Sequence, residues 1–253
     1  MAGTTSKSTS SIEHIPHDSD RRPVYVWQFP VRIFHWINVF AIVILFLTGM
    51  YIAKPLLVAP GEATQNFVMG TIRYWHGVTA YIFTANLIFR LYWFIVGNEY
   101  SKMRFWQKNF WGNMVSTIKY YLFMKSEHQN SLGHNSLAQL MYFFFVWLAS
   151  GIMILTGFAM RVGTDQSGIL GSLFSWVIPA FNSESQVRMF HHLFAWGYVI
   201  FLLGHLYMVI RQDILDDDGT ISSIINGYKF DLSSNVHSNK RLANEFVPKA
   251  NKP

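Results

Sequence analysis

Long apolar runs separated by polar loops dominate the chain. Four of them reach the length of about 20 residues that a helix needs to cross the hydrocarbon layer of a bilayer. They are Val31 to Ile52, Ile72 to Val96, Ser136 to Met160 and Val187 to Ile210. Pro30 opens the first, at a position where its missing N–H costs the helix nothing. The pattern predicts an all-α integral membrane protein whose residues 31–210 form a four-helix transmembrane bundle. Polar segments flank it, over 1–30 and 211–253. Ile169 to Phe181 is apolar but too short to cross, and Gly171 and Pro179 interrupt it, so it reads as interfacial or partner-facing.

The loops differ in charge. Residues 97–135 hold Lys102, Arg104, Lys108, Lys119 and Lys125 among Trp106, Phe110, Trp111 and Tyr120, a mixture suited to the lipid surface. Residues 53–71 hold only Lys54 and residues 161–186 only Arg161. Basic residues stay on the cytoplasmic side, which places the middle loop and both termini in the cytoplasm. No short apolar core with a small-residue cleavage site occurs in residues 1–30, so no signal peptide is expected. Arg21-Arg22 hints at a twin-arginine signal, but the run after it is long enough to be retained as a span.

Composition agrees. The chain is 51% hydrophobic and 13% charged, against about 25% charged in soluble domains. Its net charge of +6 is explained by basic loops, and no basic stripe or motif points to nucleic acid. The absence of cysteine excludes disulfides, cysteine-ligated iron–sulfur clusters and covalent haem attachment.

Four histidines lie inside the apolar runs: His35, His76, His191 and His205. Ionisable groups at membrane depth are costly and mark function. The topology drawn from Lys and Arg sorts them into level pairs. His35 and His205 fall near the cytoplasmic side, His76 and His191 near the outer side. His191 and His205 are 14 residues apart, close to four helical turns, so they share one face about 21 Å apart along the axis. Two such pairs fit the axial ligands of two haems, one above the other. His192 is out of phase with His205 and is expected at a neighbouring helix or the haem periphery. A zinc or di-metal site fits less well, because the spans lack carboxylates and the pairs are too far apart to share an ion.

A pattern R-x-x-H recurs as Arg32–His35, Arg73–His76 and Arg188–His191. Each arginine lies one turn nearer the surface than its histidine. Arg32, Arg73 and Arg188 are therefore either partners of haem propionates or anchors to lipid phosphates. Leu47-Thr48-Gly49 echoes Leu155-Thr156-Gly157, and Arg90 falls where His205 falls when the second and fourth spans are aligned. His134, just before the third span and near the depth of the cytoplasmic pair, reads as a solvated loop histidine, the alternatives being that it replaces one assigned ligand or touches a quinone. His128 lies in the same loop as His134, and His14, His17 and His237 lie in polar tails and carry no signal.

On these residues the chain resembles the b-type cytochrome subunits of membrane-bound nickel–iron hydrogenases, with the related cytochrome b subunits of formate dehydrogenases. The resemblance covers about Tyr25 to Phe230. It rests on Arg32-Ile-Phe-His35-Trp36, Ile72-Arg73-Tyr74-Trp75-His76, His134-Asn135-Ser136-Leu137-Ala138-Gln139, His191-His192 with His205, and the tail Ile221 to Tyr228. It implies two bis-histidine b haems, His76 with His191 and His35 with His205, in a bacterial inner membrane. It implies that the small and large subunits of a periplasmic hydrogenase dock on the outer face, with quinone as the electron acceptor. The subunit itself would be an electron carrier and anchor with no chemistry on hydrogen. A formate dehydrogenase cytochrome is the alternative. A proton-coupled transporter is a more distant one, disfavoured by the lack of Asp or Glu within the spans.

Overall fold

Each long apolar run folds as a helix. The computed structural model describes residues 22–55, 67–103, 108–125, 132–163 and 167–231. His14, His17, Arg21, Arg104, Trp106, His128 and the tail beyond Asp231, His237 included, lie outside these residues.

Strand β1 (Arg22–Tyr25) leads into helix α1 (Phe29–Ala53), which starts with Pro30 in its first turn. Helix α2 (Val68–Val96) returns antiparallel to α1. A surface helix α3 (Phe110–Tyr121) follows, then helix α4 (Ser136–Val162). Two short helices, α5 (Gly168–Phe174) and α6 (Val177–Ala180), lead to the longest helix, α7 (Glu184–Asp216). Helix α8 (Thr220–Asn226) and strand β2 (Tyr228–Asp231) close the described chain. Helices α1, α2, α4 and α7 are each long and apolar enough to cross a membrane. Phe40, Leu47, Ile88, Ile95, Ile200 and Leu203 are exposed on them, as a surface that meets lipid requires.

The spans extend beyond the apolar windows where polar groups find partners. Asn135 caps α4 by accepting from the Ala138 N–H, and Ser183 caps α7 by accepting from the Gln186 N–H. Helix α7 continues six residues past Ile210. There Arg211 donates to the Tyr120 carbonyl, Gln212 to Asp218, and Asp213 accepts from the Ile221 N–H.

Helices α1 and α2 form one hairpin and α4 and α7 a second, and the two pack side by side. The bundle therefore has two ends. The loop end carries α5 and α6. Phe174 stacks on Phe158 of α4 and Val177 is buried, while Ile169, Leu173 and Trp176 stay exposed. This segment thus lies half-docked with an apolar outer face.

The terminal end carries a cap. Strands β1 and β2 pair antiparallel, Val24 opposite Lys229. The Val26 N–H donates to the Gly227 carbonyl, Trp27 Nε1 to Ser223 Oγ, and Arg32 to the Ile225 carbonyl. Gly227 has φ +94°, and a Cβ there would strike Tyr25 and the Trp27 carbonyl, so only glycine fits. Within the cap Lys229 Nζ lies 2.7 Å from Asp218 Oδ2, with both side chains buried. Helix α3 joins this end through Tyr120 and Tyr121, packed with Leu137 and Met208, and through Tyr207, which donates to the Tyr121 carbonyl.

Candidate functional site

The four intramembrane histidines come together as two pairs at the two ends of one hollow bundle. Toward the terminal end, the His35 ring on α1 and the His205 ring on α7 lie 6.4 Å apart, centroid to centroid. That spacing suits a metal midway: two metal–nitrogen bonds of about 2 Å plus two ring half-widths account for it. Toward the loop end, His76 on α2 and His191 on α7 line one cavity of about 620 Å³. All four helices contribute to its wall, Phe46 and Gly49 from α1, Ala80 from α2, Met153 and Gly157 from α4, Ala195 from α7. The lining is mainly apolar, with Thr84, three histidines and the charged Arg73, Arg161, Glu184 and Arg188 among its polar members, which suits a flat apolar ring system with polar substituents at one edge. Among the described residues no three His, Cys, Asp or Glu side chains converge, so a zinc-type ligand set is not built.

Two features seat the loop-end rings. Thr48 Oγ1 lies 2.8 Å from His76 Nδ1, and Thr156 Oγ1 lies 2.8 Å from His191 Nδ1. A Cβ on Gly49 would stand 3.4 Å from His76 Cε1, and one on Gly157 would stand 3.2 Å from His191 Cε1. The repeated Leu-Thr-Gly thus marks where α1 receives the ring of α2 and α4 receives the ring of α7. The absence of a side chain at each glycine leaves the room the imidazole takes.

The terminal-end pair is held differently. His205 stacks on Phe201, which stacks on Phe145 with centroids 4.2 Å apart. Phe145 lies in a π-helical stretch of α4, Phe143–Ala149. There the Phe145 carbonyl accepts from Ser150 Oγ and Tyr198 Oη. One residue more per turn re-aims the side chains, a device found at functional sites. His35 Nδ1 is buried without a hydrogen-bond partner.

The arginines divide between the two ends. Arg73 and Arg188 line the mouth of the loop-end cavity, Arg188 pairing with Glu184 at 2.6 Å. Arg161 joins them: it ends α4, lies beside Gly77 and sits over the Tyr81 ring. The sequence marked Arg161 only as a lone loop cation. Its place four residues after Gly157, one turn nearer the membrane surface, was the available signal. Arg32 is engaged with the cap, donating to Ile225, while its Nε has no partner. Arg90, which the repeat aligned with His205, is buried at 2% exposure, and sequence reasoning assigned it no role at the site. One Nη donates to the Ser101 carbonyl at 2.8 Å, but Nε and the second Nη have no partner. Its guanidinium lies over Phe34 and Tyr142, next to the His35 level. A buried cation with free N–H groups calls for an anionic acceptor.

His192 also lines the loop-end cavity. His134 is packed between Trp27 and Tyr142. Desolvation of the ring, then Arg90 and Lys229, push its pKa down to about 4. Its folded pKa is therefore below the free value of 6.5, so its contribution to stability is full above pH 6.5 and is lost as pH falls toward 4. We expect the terminal-end cap to loosen over that window. His134→Phe should flatten the dependence, as followed by protease accessibility of residues 218–231; an unchanged pH profile would contradict this.

Comparison with known proteins adds to this geometry. A model of the family Prokaryotic cytochrome b561 matches residues 26–227. A protein of Cupriavidus necator named "Probable Ni/Fe-hydrogenase B-type cytochrome subunit" is 38% identical over 213 residues, 82% of this chain and 87% of that protein. One of Escherichia coli K12, "Probable Ni/Fe-hydrogenase 1 B-type cytochrome subunit", is 37% identical over 225 residues, 86% and 95% of the two chains. A Rhodobacter capsulatus protein of the first name is 36% identical over 215 residues, 83% of this chain and 82% of its own.

Proposed function

The chain belongs to the prokaryotic cytochrome b561 family, as a b-type cytochrome subunit of the hydrogenase-associated kind, and on that premise we propose that it links a periplasmic nickel–iron hydrogenase to the quinone pool. It is a multi-pass membrane protein and carries electrons as a haem b protein. In our reading two b haems are held, one by His76 and His191 toward the outer face, one by His35 and His205 toward the cytoplasmic face. Both termini are then cytoplasmic, and the membrane is the bacterial inner membrane. Haem iron between two imidazoles supplies a one-electron couple with no open position for substrate, so the subunit does no chemistry on hydrogen itself.

The chain's own residues do the rest. Arg73, Arg161 and Arg188 give the outer site cations for propionates, and Arg90 gives the inner site one. The spans keep water from the rings. The loop end, with the apolar outer face of α5 and α6, receives the small and large hydrogenase subunits. The observation that carries the reading is the assembly of four intramembrane histidines into two pairs at separate levels of one bundle.

A formate dehydrogenase would use the same helices, and the names of the relatives favour hydrogenase. The test is to purify the tagged chain from native membranes and measure the metal that accompanies it, then add hydrogen. Nickel with hydrogen-driven reduction of the b-type absorbance is expected. Molybdenum, or a b band that formate reduces and hydrogen does not, would assign it to the other partner.

A further inference from the structure

The loop-end rings and His35 differ in what their Nδ1 nitrogens meet. At the loop end both Nδ1 atoms meet a threonine hydroxyl at 2.8 Å. Each hydroxyl has one hydrogen. Thr48 Oγ1 lies 2.6 Å from the Ile44 carbonyl and Thr156 Oγ1 lies 2.6 Å from the Ile152 carbonyl. A carbonyl only accepts, so at that distance the hydroxyl hydrogen must point to it. The threonine oxygen then faces Nδ1 as an acceptor, which calls for the hydrogen on Nδ1; at His76 the Leu45 carbonyl is a second acceptor beside the ring. This leaves the lone pair of both rings on Nε2. The same construction occurs twice, from α1 to α2 and from α4 to α7, each beside a glycine that seats the ring edge. At the other level His35 Nδ1 has no acceptor.

We propose that Thr48 and Thr156 are positioning residues that fix the Nδ1–H form of His76 and His191 and tune the potential of the haem bound there, and of that haem alone. The inference rests on the bis-histidine reading above. An imidazole that donates from Nδ1 is a stronger electron donor through Nε2 and favours ferric iron. The loop-end couple is therefore held lower than the same ligands without threonine would set it. Removing one hydroxyl raises it. Second-sphere partners of metal-bound histidine are worth about 10–100-fold in metal affinity or activity, and an effect at the low end of that range is expected on the redox equilibrium. A tenfold change in the reduced-to-oxidised ratio at fixed applied potential corresponds to about 59 mV for a one-electron couple.

The test is a potentiometric titration of the b-haem absorbance in the purified complex, for the native chain and for Thr48→Val, Thr156→Val, Thr48→Ser and Thr156→Ser. The component missing from His191→Ala identifies the loop-end haem. Each valine variant is expected to raise that component by about 59 mV, to leave the other in place, and to alter one low-spin ferric resonance in the electron paramagnetic spectrum. Each serine variant should restore the native values. Loss of one haem in the valine variant, with retention in the serine variant, also supports the proposal, since the hydroxyl then decides ligand presentation. Unmoved midpoints, equal shifts of both components, or serine behaving like valine overturn it. A native chain without haem, or His191→Ala with both haems, would instead defeat the bis-histidine reading.

Discussion

Replacing His191 with alanine is expected to remove one of two haems and roughly halve the reduced b-type absorbance, with the helices still folded. The ring lines the hollow of the bundle, and although it meets Thr156 and Gly157 of α4, its loss leaves the other contacts of α4 with α7 in place. Its neighbour His192 lies on the same wall but about 100° around the helix. His192→Ala should keep both haems. Electron delivery from hydrogen to quinone should fall by on the order of 100-fold or more in His191→Ala, because a first ligand is lost where second-sphere changes alone cost 10–100-fold. The hydrogenase should still reduce artificial dyes. Haem content, difference spectra and both assays on purified complexes decide this. Haem loss in His192→Ala, with retention in His191→Ala, would reverse the assignment.

The second large effect concerns the cap. Asp218→Asn leaves the Lys229 ammonium buried without its carboxylate. Breaking one partner of a buried pair costs about 3–5 kcal/mol. Asp218 also accepts from Gln212 and from the Thr220 N–H, so it joins the end of α7 to the start of α8. We expect faster hydrogen exchange across 218–231 and loosening of the strand pair. Arg32 and Trp36 donate to carbonyls of α8, which carries the disturbance to the His35 level. The double variant Asp218→Leu with Lys229→Met should recover most of the loss, because no charge is then stranded. A single variant as protected as the native chain would show that the ion pair contributes little.

The sequence made some of this architecture legible and concealed the rest, for physical reasons. A helix that crosses lipid must satisfy its backbone internally and present apolar residues over about 20 positions. That signal is long, and the four spans follow from it to within a few residues, apart from the far end of α7. There Arg211, Gln212 and Asp213 broke the apolar run, yet the helix continues because each polar group meets a partner from another part of the chain. Lys and Arg counts alone sorted the histidines into the same level pairs that the bundle brings together. The Leu-Thr-Gly echo was visible as a repeat, but its meaning required the distances to Nδ1.

Other features had a weak local trace or none. The strand pair joins residues about 200 positions apart, each strand only four residues long, too short for a period to declare itself. In the π-helical stretch of α4 the Phe145 carbonyl accepts from Tyr198 of another helix as well as from Ser150. Arg161 read as a lone loop cation, and Arg90 only as the counterpart of His205 when the second and fourth spans are aligned. Their burial and their aim come from packing between helices.

The most direct test of the central claim is the amount of haem b per polypeptide in the purified chain, measured with a redox titration of its reduced band. We predict two haems and two one-electron components, one of which disappears in His76→Ala and the other in His35→Ala. A single haem, or one component removed by both substitutions, would contradict two bis-histidine sites at separate levels.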